Sequence, residues 1–315
     1  MIFWIGFITV ILILLLLDLA VLHRDAHEVS TKESIFWTLV WITFSLLFSV
    51  FVYYAFEKDW FDIGLNSHLT GREAALNYLT GYLIELSLSA DNIFVIAMII
   101  TYFHIPLKHQ HGLLFWGILG ALVFRGIMIG VGVALIHRFE WIIYVFGAIL
   151  IYSALKMLLM EKKEIEPGKN PVVRFVERFF PVAREMEGGK FFTRIQGKRA
   201  VTPLFIALIV IETSDIMFAV DSIPAIFAIT TEPFIVFTSN VFAILGLRSM
   251  YFVLASVIKK FRYLQQSLVF ILGYVGIKMM IQHHFHLPVW LSLCIILFIL
   301  IAGIVASVIA DRKAR

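Results

Sequence analysis

Long apolar runs separated by short polar stretches dominate this chain, and many reach the roughly 20 residues that a helix needs to cross hydrocarbon. Runs of this kind lie at about 2–22, 35–56, 74–101, 112–136, 140–160, 201–229, 235–258, 264–282 and 288–310. They lack the alternation of barrel strands, and backbone groups in lipid must bond within their own segment, so the pattern predicts helices. The expected fold is an all-α polytopic membrane protein of about nine transmembrane helices.

Composition agrees: 61% of the 315 residues are hydrophobic and 15% charged, which excludes a soluble core or a single anchor. Charge placement adds an orientation, because basic loops stay in the cytoplasm. Segments 23–34, 102–111, 161–200, 259–263 and 311–315 share one side and hold 19 basic residues. The other side holds Lys58, Arg72 and Arg138. The N-terminus is therefore expected outside and the C-terminus in the cytoplasm. The first run has no basic leader and no small-residue cleavage site, so it reads as a retained helix. The net charge of +4 follows from this topology, and no nucleic-acid partner is expected. A single cysteine, Cys294, rules out an intramolecular disulfide and is expected to be a small packing residue.

The chain reads as one membrane domain, 1–315. It comprises two leading helices (1–56), a first repeat (74–160), a basic linker (161–200), a second repeat (201–282) and a final helix (288–310). Within the linker, Pro167, Gly168, Pro171, Pro181, Gly188 and Gly189 accompany ten basic residues. Val172, Val173, Phe175, Val176, Phe179 and Phe180 interleave with Arg174, Glu177 and Arg178, which fits a short interfacial helix or an irregular basic loop. Landmarks recur in order on either side of the linker. Glu85-x5-Asp91-Asn92-Ile93 matches Asp215-x5-Asp221-Ser222-Ile223, Arg125 matches Arg248, and Tyr152-x3-Lys156-Met157 matches Tyr274-x3-Lys278-Met279. Each copy holds three spans, an odd number, so the second enters the membrane from the opposite side and the repeat is inverted. Inverted repeats in secondary transporters place the substrate near the midplane, between discontinuous helices.

Carboxylates are the anomaly in these runs. Each charge at a bilayer centre costs about 3 kcal/mol on insertion scales, so Glu85, Asp91, Glu212, Asp215 and Asp221 mark a candidate site. At 3.6 residues per turn Glu85 stacks on Asn92, and Asp215 on Ser222, with Asp91 and Asp221 turned away by about a third of a turn. Two such helices facing each other are expected to offer four carboxylates with amide and hydroxyl oxygens to one point. Pro224 would free the carbonyl of Val220 as a further ligand. The ten histidines lie outside the spans or at their ends, so the ligand set suits Mn²⁺, Mg²⁺ or Ca²⁺, among which residue type does not choose. Protons would replace the metal when it leaves, a coupling mechanism. Arg125 and Arg248 are counter-ions that either fix helix orientation or gate the site. Lys156 and Lys278 are expected to snorkel. Asp18 either bonds a neighbour or belongs to the pathway, and Asn240 adds an oxygen or bridges helices. Phe103-His104-Ile105-Pro106 and Phe285-His286-Leu287-Pro288 mark helix ends, with His283, His284 and His286 read as interfacial rather than as metal ligands.

The runs Gly81–Asn92 and Phe218–Phe227, continuing through Thr238-Ser239-Asn240 to Ala243–Arg248, closely resemble the TerC family, and its Alx branch in particular. The likeness extends from about residue 30 to 290. It also looks similar to the broader LysE-type transporter group. The resemblance implies a bacterial inner-membrane protein that exports Mn²⁺, with metal-site candidates Glu85, Asp91, Asp215 and Asp221, Asn92 and Ser222 beside them, and Glu212 also matching. The expectation is a secondary transporter and not an enzyme, with no permanently bound cofactor, a divalent cation as cargo and the lipid bilayer as its surroundings. The alternative is a membrane stress-response scaffold or redox modulator linked to tellurite or alkaline stress. No nucleotide-binding loop is present, which argues against an ATP-driven pump.

Overall fold

The computed structural model describes residues 2–20, 31–60, 69–139, 141–159, 170–183, 188–195, 197–257, 263–281 and 287–314. The chain is a polytopic helical membrane protein. Its helices are α1 (Ile2–Ala20), α2 (Thr31–Glu57), α3 (Gly71–Tyr102), α4 (Leu107–Arg138), α5 (Ile142–Leu159), α6 (Pro171–Phe179), α7 (Pro203–Phe227), α8 (Pro233–Val257), α9 (Leu264–Ile281) and α10 (Val289–Ala314). Two four-residue strands, β1 (Phe192–Ile195) and β2 (Lys198–Val201), form an antiparallel hairpin before α7. Among the described residues seven helices are long and apolar enough to cross a membrane, and two more apolar stretches, Trp4–Leu14 and Gln266–Ile281, are shorter.

Large apolar side chains cover the outside: Leu47, Phe270 and Phe298 are 62%, 65% and 73% exposed. Charged and amide side chains collect inside instead. This inversion of the soluble pattern suits a solvent of lipid tails.

Helices α3, α4, α7 and α8 form the centre. α3 packs on α8 and α7, and α4 packs on α7 and α8. α5 lies along α9 at the periphery, where Gly147 and Gly276 meet so closely that a methyl on either would press on the other's carbonyl oxygen at 3.1–3.2 Å. α2 covers α3 and α8, and α10 covers α9 and α3. An aromatic cluster joins the leading helices to the centre: the Phe48 ring lies 4.5 Å from Phe242, and Phe7 lies 6.1 Å from Phe234.

Local sequence accounts for the ends that matter. Thr70 caps α3 through a capping box with Glu73. Thr202 caps α7, and Pro203 occupies the first turn, where its missing N–H costs nothing. His104 has a φ of +51° in the tight turn between α3 and α4, in line with the helix-end reading of that motif. α7 is helical through Pro224, and α3 has no break, so neither is the discontinuous helix expected.

Two expectations about side chains fail. Cys294 is exposed on α10 instead of packed, and Lys278 is buried, 6% exposed, instead of snorkelling. Every helix concerned is apolar on all sides, so the sequence carries no mark of which face turns inward. The side chain of Asp18, residues His283, His284 and His286, and Pro167 and Gly168 lie outside the described residues.

Candidate charge network at the helix crossing

Where α3, α4, α7 and α8 meet, Arg125 of α4 lies between two carboxylates. Its Nε and Nη2 donate to Oδ2 and Oδ1 of Asp215 on α7 at 3.0 and 2.7 Å, a bidentate pair. Its Nη1 donates to Oε1 of Glu85 on α3. Two amides complete the shell. Asn92 Nδ2 donates to Asp215 Oδ1 at 2.7 Å, and Asn240 Nδ2 of α8 donates to Glu85 Oε2 at 3.0 Å. Ser89, one turn beyond Glu85, donates to Oε1 at 3.4 Å.

All of these groups are out of solvent: Glu85 is 0% exposed, Arg125 2% and Asp215 3%. Isolated charges so placed would be prohibitive, and the guanidinium fork with the amide donors makes the arrangement tenable. The seven-residue spacing explains part of the geometry. Glu85 and Asn92 lie on one face of α3, so each reaches a different side of the same cluster.

The remaining acidic residues are elsewhere. Asp221, a third of a turn from Asp215, faces α5 and accepts from Ser153 Oγ at 2.6 Å. Glu212 is seated against Gly120 of α4, where an added Cβ would overlap its carboxylate, and among the described residues its Oε2 has no hydrogen-bond partner. Ser222 is buried, and among the described residues its hydroxyl is unpartnered. Asp91 is half-buried. The expected convergence of four carboxylates is therefore replaced by two carboxylates around an arginine, because the rotation of Asp91 and Asp221 takes them off the shared face. Among the described residues no three His, Cys, Asp or Glu side chains are grouped closely enough to hold a metal ion. Asn240, left open between ligand and bridge, bonds Glu85 and lies 3.5 Å from Arg125 Nη1.

Beside the network is a cavity of about 30 Å³, lined in part by Asn92, Asp215, Arg248 and Tyr251. It has room for a water molecule, and Asn92 Oδ1 is buried with no hydrogen-bond partner among the described residues. Arg248 is itself buried.

These features define a multi-pass integral membrane protein with an ionic cluster buried at a four-helix crossing. The sequence profile of the integral membrane protein TerC family matches residues 70–315, and the chain belongs to that family. It is 47% identical over 311 residues to the membrane protein STKORF319 of Myxococcus xanthus, covering 99% of this chain and 93% of that protein. It is 44% identical over 299 residues to Alx of Escherichia coli (strain K12), which is provisionally named a membrane-bound redox modulator, covering 95% and 91% of the two chains. A membrane protein of Rickettsia bellii is 42% identical over 306 residues, 97% of each chain. No solved structure is significantly similar.

Proposed function

We propose that this protein is a secondary transporter that exports a divalent cation, Mn²⁺ foremost, from the cytoplasm in exchange for protons. The observation that carries the reading is the pair of membrane-buried carboxylates, Glu85 and Asp215, bridged by one guanidinium between two halves of the bundle. Residues this costly to bury usually belong to an ion pathway. Their oxygens, with Asn92 Oδ1, Ser222 Oγ and Glu212 Oε2 close by in sequence and unpartnered among the described residues, are hard donors suited to Mn²⁺. In this scheme Arg125 stands in for the cargo. An entering cation displaces the guanidinium from both carboxylates, and protons hold the charge after the cation leaves. Asp91 and Asp221 lie six residues along their helices from Glu85 and Asp215, about 9 Å away, and serve as flanking positions of the path.

The packing supports a two-fold repeat of α3–α5 and α7–α9, which three spans per copy would make inverted. Exchanging α3 with α7, α4 with α8 and α5 with α9 carries the α3–α8 contact onto α7–α4 and returns the α5–α9, α3–α7 and α4–α8 contacts to themselves. The small cavity extends along Ile96, Leu114, Ile211 and Tyr251, toward the helix ends that the basic loops assign to the cytoplasm.

A second reading, a static scaffold, draws on the completeness of the Arg125 bonding, since a guanidinium with all three nitrogens engaged also locks helices. The provisional name of Alx points to redox modulation, to which a lone Cys294 and the lack of a cofactor motif give little physical support.

Proteoliposomes containing a Mn²⁺-sensitive dye separate the readings. Transport predicts uptake that depends on a pH gradient and disappears in Asp215→Asn and Asp91→Asn, with both variants still folded. Equal flux in wild type and Asp215→Asn would refute the site, and no flux in folded wild type would favour the scaffold.

A further inference from the structure

The described parts of the segment between α5 and α7, which include α6 and the hairpin, pack against α7. Asn170 caps α6, accepting from the amides of Val172 and Val173 at 2.9 and 3.4 Å, and its Nδ2 donates to Thr213 Oγ1 of α7 at 3.3 Å. Val173 is buried beneath α6. On the opposite face Phe175 and Phe179, one turn apart, are 63% and 62% exposed with ring centroids 4.9 Å apart. The hairpin is held as firmly. Thr202 Oγ1 donates to the Lys190 carbonyl at 2.8 Å, Phe192 packs on Phe205 at 4.7 Å, and Phe191 lies 6.4 Å from both Phe205 and Trp116.

Between the end of α6 and this hairpin is a cavity of about 640 Å³ lined by Phe180, Lys190, Phe192, Thr193, Arg194 and Arg199. Arg194 and Arg199 are directly opposed in the strand register. Like charges facing across a hairpin repel, so the pair is a standing cost that an anion between them would remove. We infer that this cavity binds the headgroup of an anionic phospholipid, with the two guanidinium forks on the phosphate and the rings of Phe180 and Phe192 against the acyl chains.

Three features favour a lipid over a soluble anion. The hairpin that lines the cavity ends at Val201, two residues before Pro203, where α7 begins its span. Its walls include exposed phenylalanines, which a soluble anion would leave in water. α6, which is capped at its end by Phe180 of the cavity, carries the exposed rings of Phe175 and Phe179, and guanidiniums combined with apolar side chains match an anionic leaflet. None of this depends on the transport reading, since no residue of the cavity belongs to the charge network.

Native mass spectrometry of the full-length, detergent-solubilised protein, titrated with phosphatidylglycerol, phosphatidylcholine of the same acyl chains or inorganic phosphate, tests the assignment. Phosphatidylglycerol should occupy one preferred site. The double substitution Arg194→Gln/Arg199→Gln should weaken it about thirty-fold, at the usual contribution of a basic residue near an anionic surface. Arg194→Lys/Arg199→Lys, which keeps the charges but not the forks, should lose less than the Gln pair, and high salt should reduce the preference in wild type. If the Gln pair fails to fold, the Lys pair and the salt dependence decide. Equal binding of the two lipids, or unchanged affinity in a folded Gln pair, would overturn the proposal. Displacement of phosphatidylglycerol by inorganic phosphate at equal concentration would mark a soluble-anion site and overturn it also.

Discussion

Replacing Arg125 by Met keeps much of the side-chain volume and removes the charge, so it isolates what the guanidinium does. Glu85 and Asp215 would then face each other inside the bundle with no cation between them. Breaking a buried ion pair by removing one partner costs about 3–5 kcal/mol. Each carboxylate keeps one amide donor, Asn240 for Glu85 and Asn92 for Asp215, so the expected loss is near the middle of that range, about 4 kcal/mol. That corresponds to a roughly thousand-fold change in the folding equilibrium. The triple variant Arg125→Met/Glu85→Gln/Asp215→Asn has no charge left to strand and should recover most of the loss. Reversible unfolding of the purified protein in mixed micelles, followed by tryptophan fluorescence, measures both. A single variant within about 1 kcal/mol of wild type, or a triple variant as unstable as the single, would refute the argument that the arginine holds these carboxylates in place.

Gly71→Ala should cost about 2 kcal/mol, because its Cβ would lie 2.4 Å from the Tyr53 carbonyl oxygen, a backbone atom that cannot turn aside without separating α2 from α3. Gly132→Ala meets only the ring of Phe227, at 2.5 Å, and should cost less, about 1 kcal/mol; the order of the two melting temperatures checks the argument. Glu232, in the connection between α7 and α8, has its carboxyl pushed up by burial, against the opposing pull of the Phe234 amide and of His137. A raised carboxyl favours the folded state in its protonated form. Its stabilising effect is therefore present at low pH and lost as pH rises through the ordinary carboxylate value to the raised one. Glu232→Gln should flatten that decline, and thermal melts across this pH range would show whether the wild-type and variant curves converge in acid, as required.

The helices were legible because each needs about 20 apolar residues, a signal that composition cannot hide. α3, for example, runs from Gly71 to Tyr102 against an expected 74–101. The hairpin was missed. Its strands are four residues long, and the signal was local: the Phe192–Ile195 run followed by Gly197, which takes a φ of +80° in the turn. The seven-residue stacking of Glu85 on Asn92 was readable, and so was the offset of Asp91 and Asp221. What the spacing could not give was the angle at which α4 and α8 present Arg125 and Asn240, because that depends on packing between helices far apart in sequence. The same blindness to rotation accounts for Lys278 and Cys294.

The bond from Thr202 to the Lys190 carbonyl has a mechanical consequence. It couples the hairpin to the first turn of α7, and Asp215 lies twelve residues along the same helix, about 18 Å away at 1.5 Å per residue. A helix is stiff along its axis, so the surface segment and the buried charge are joined by one continuous stiff element.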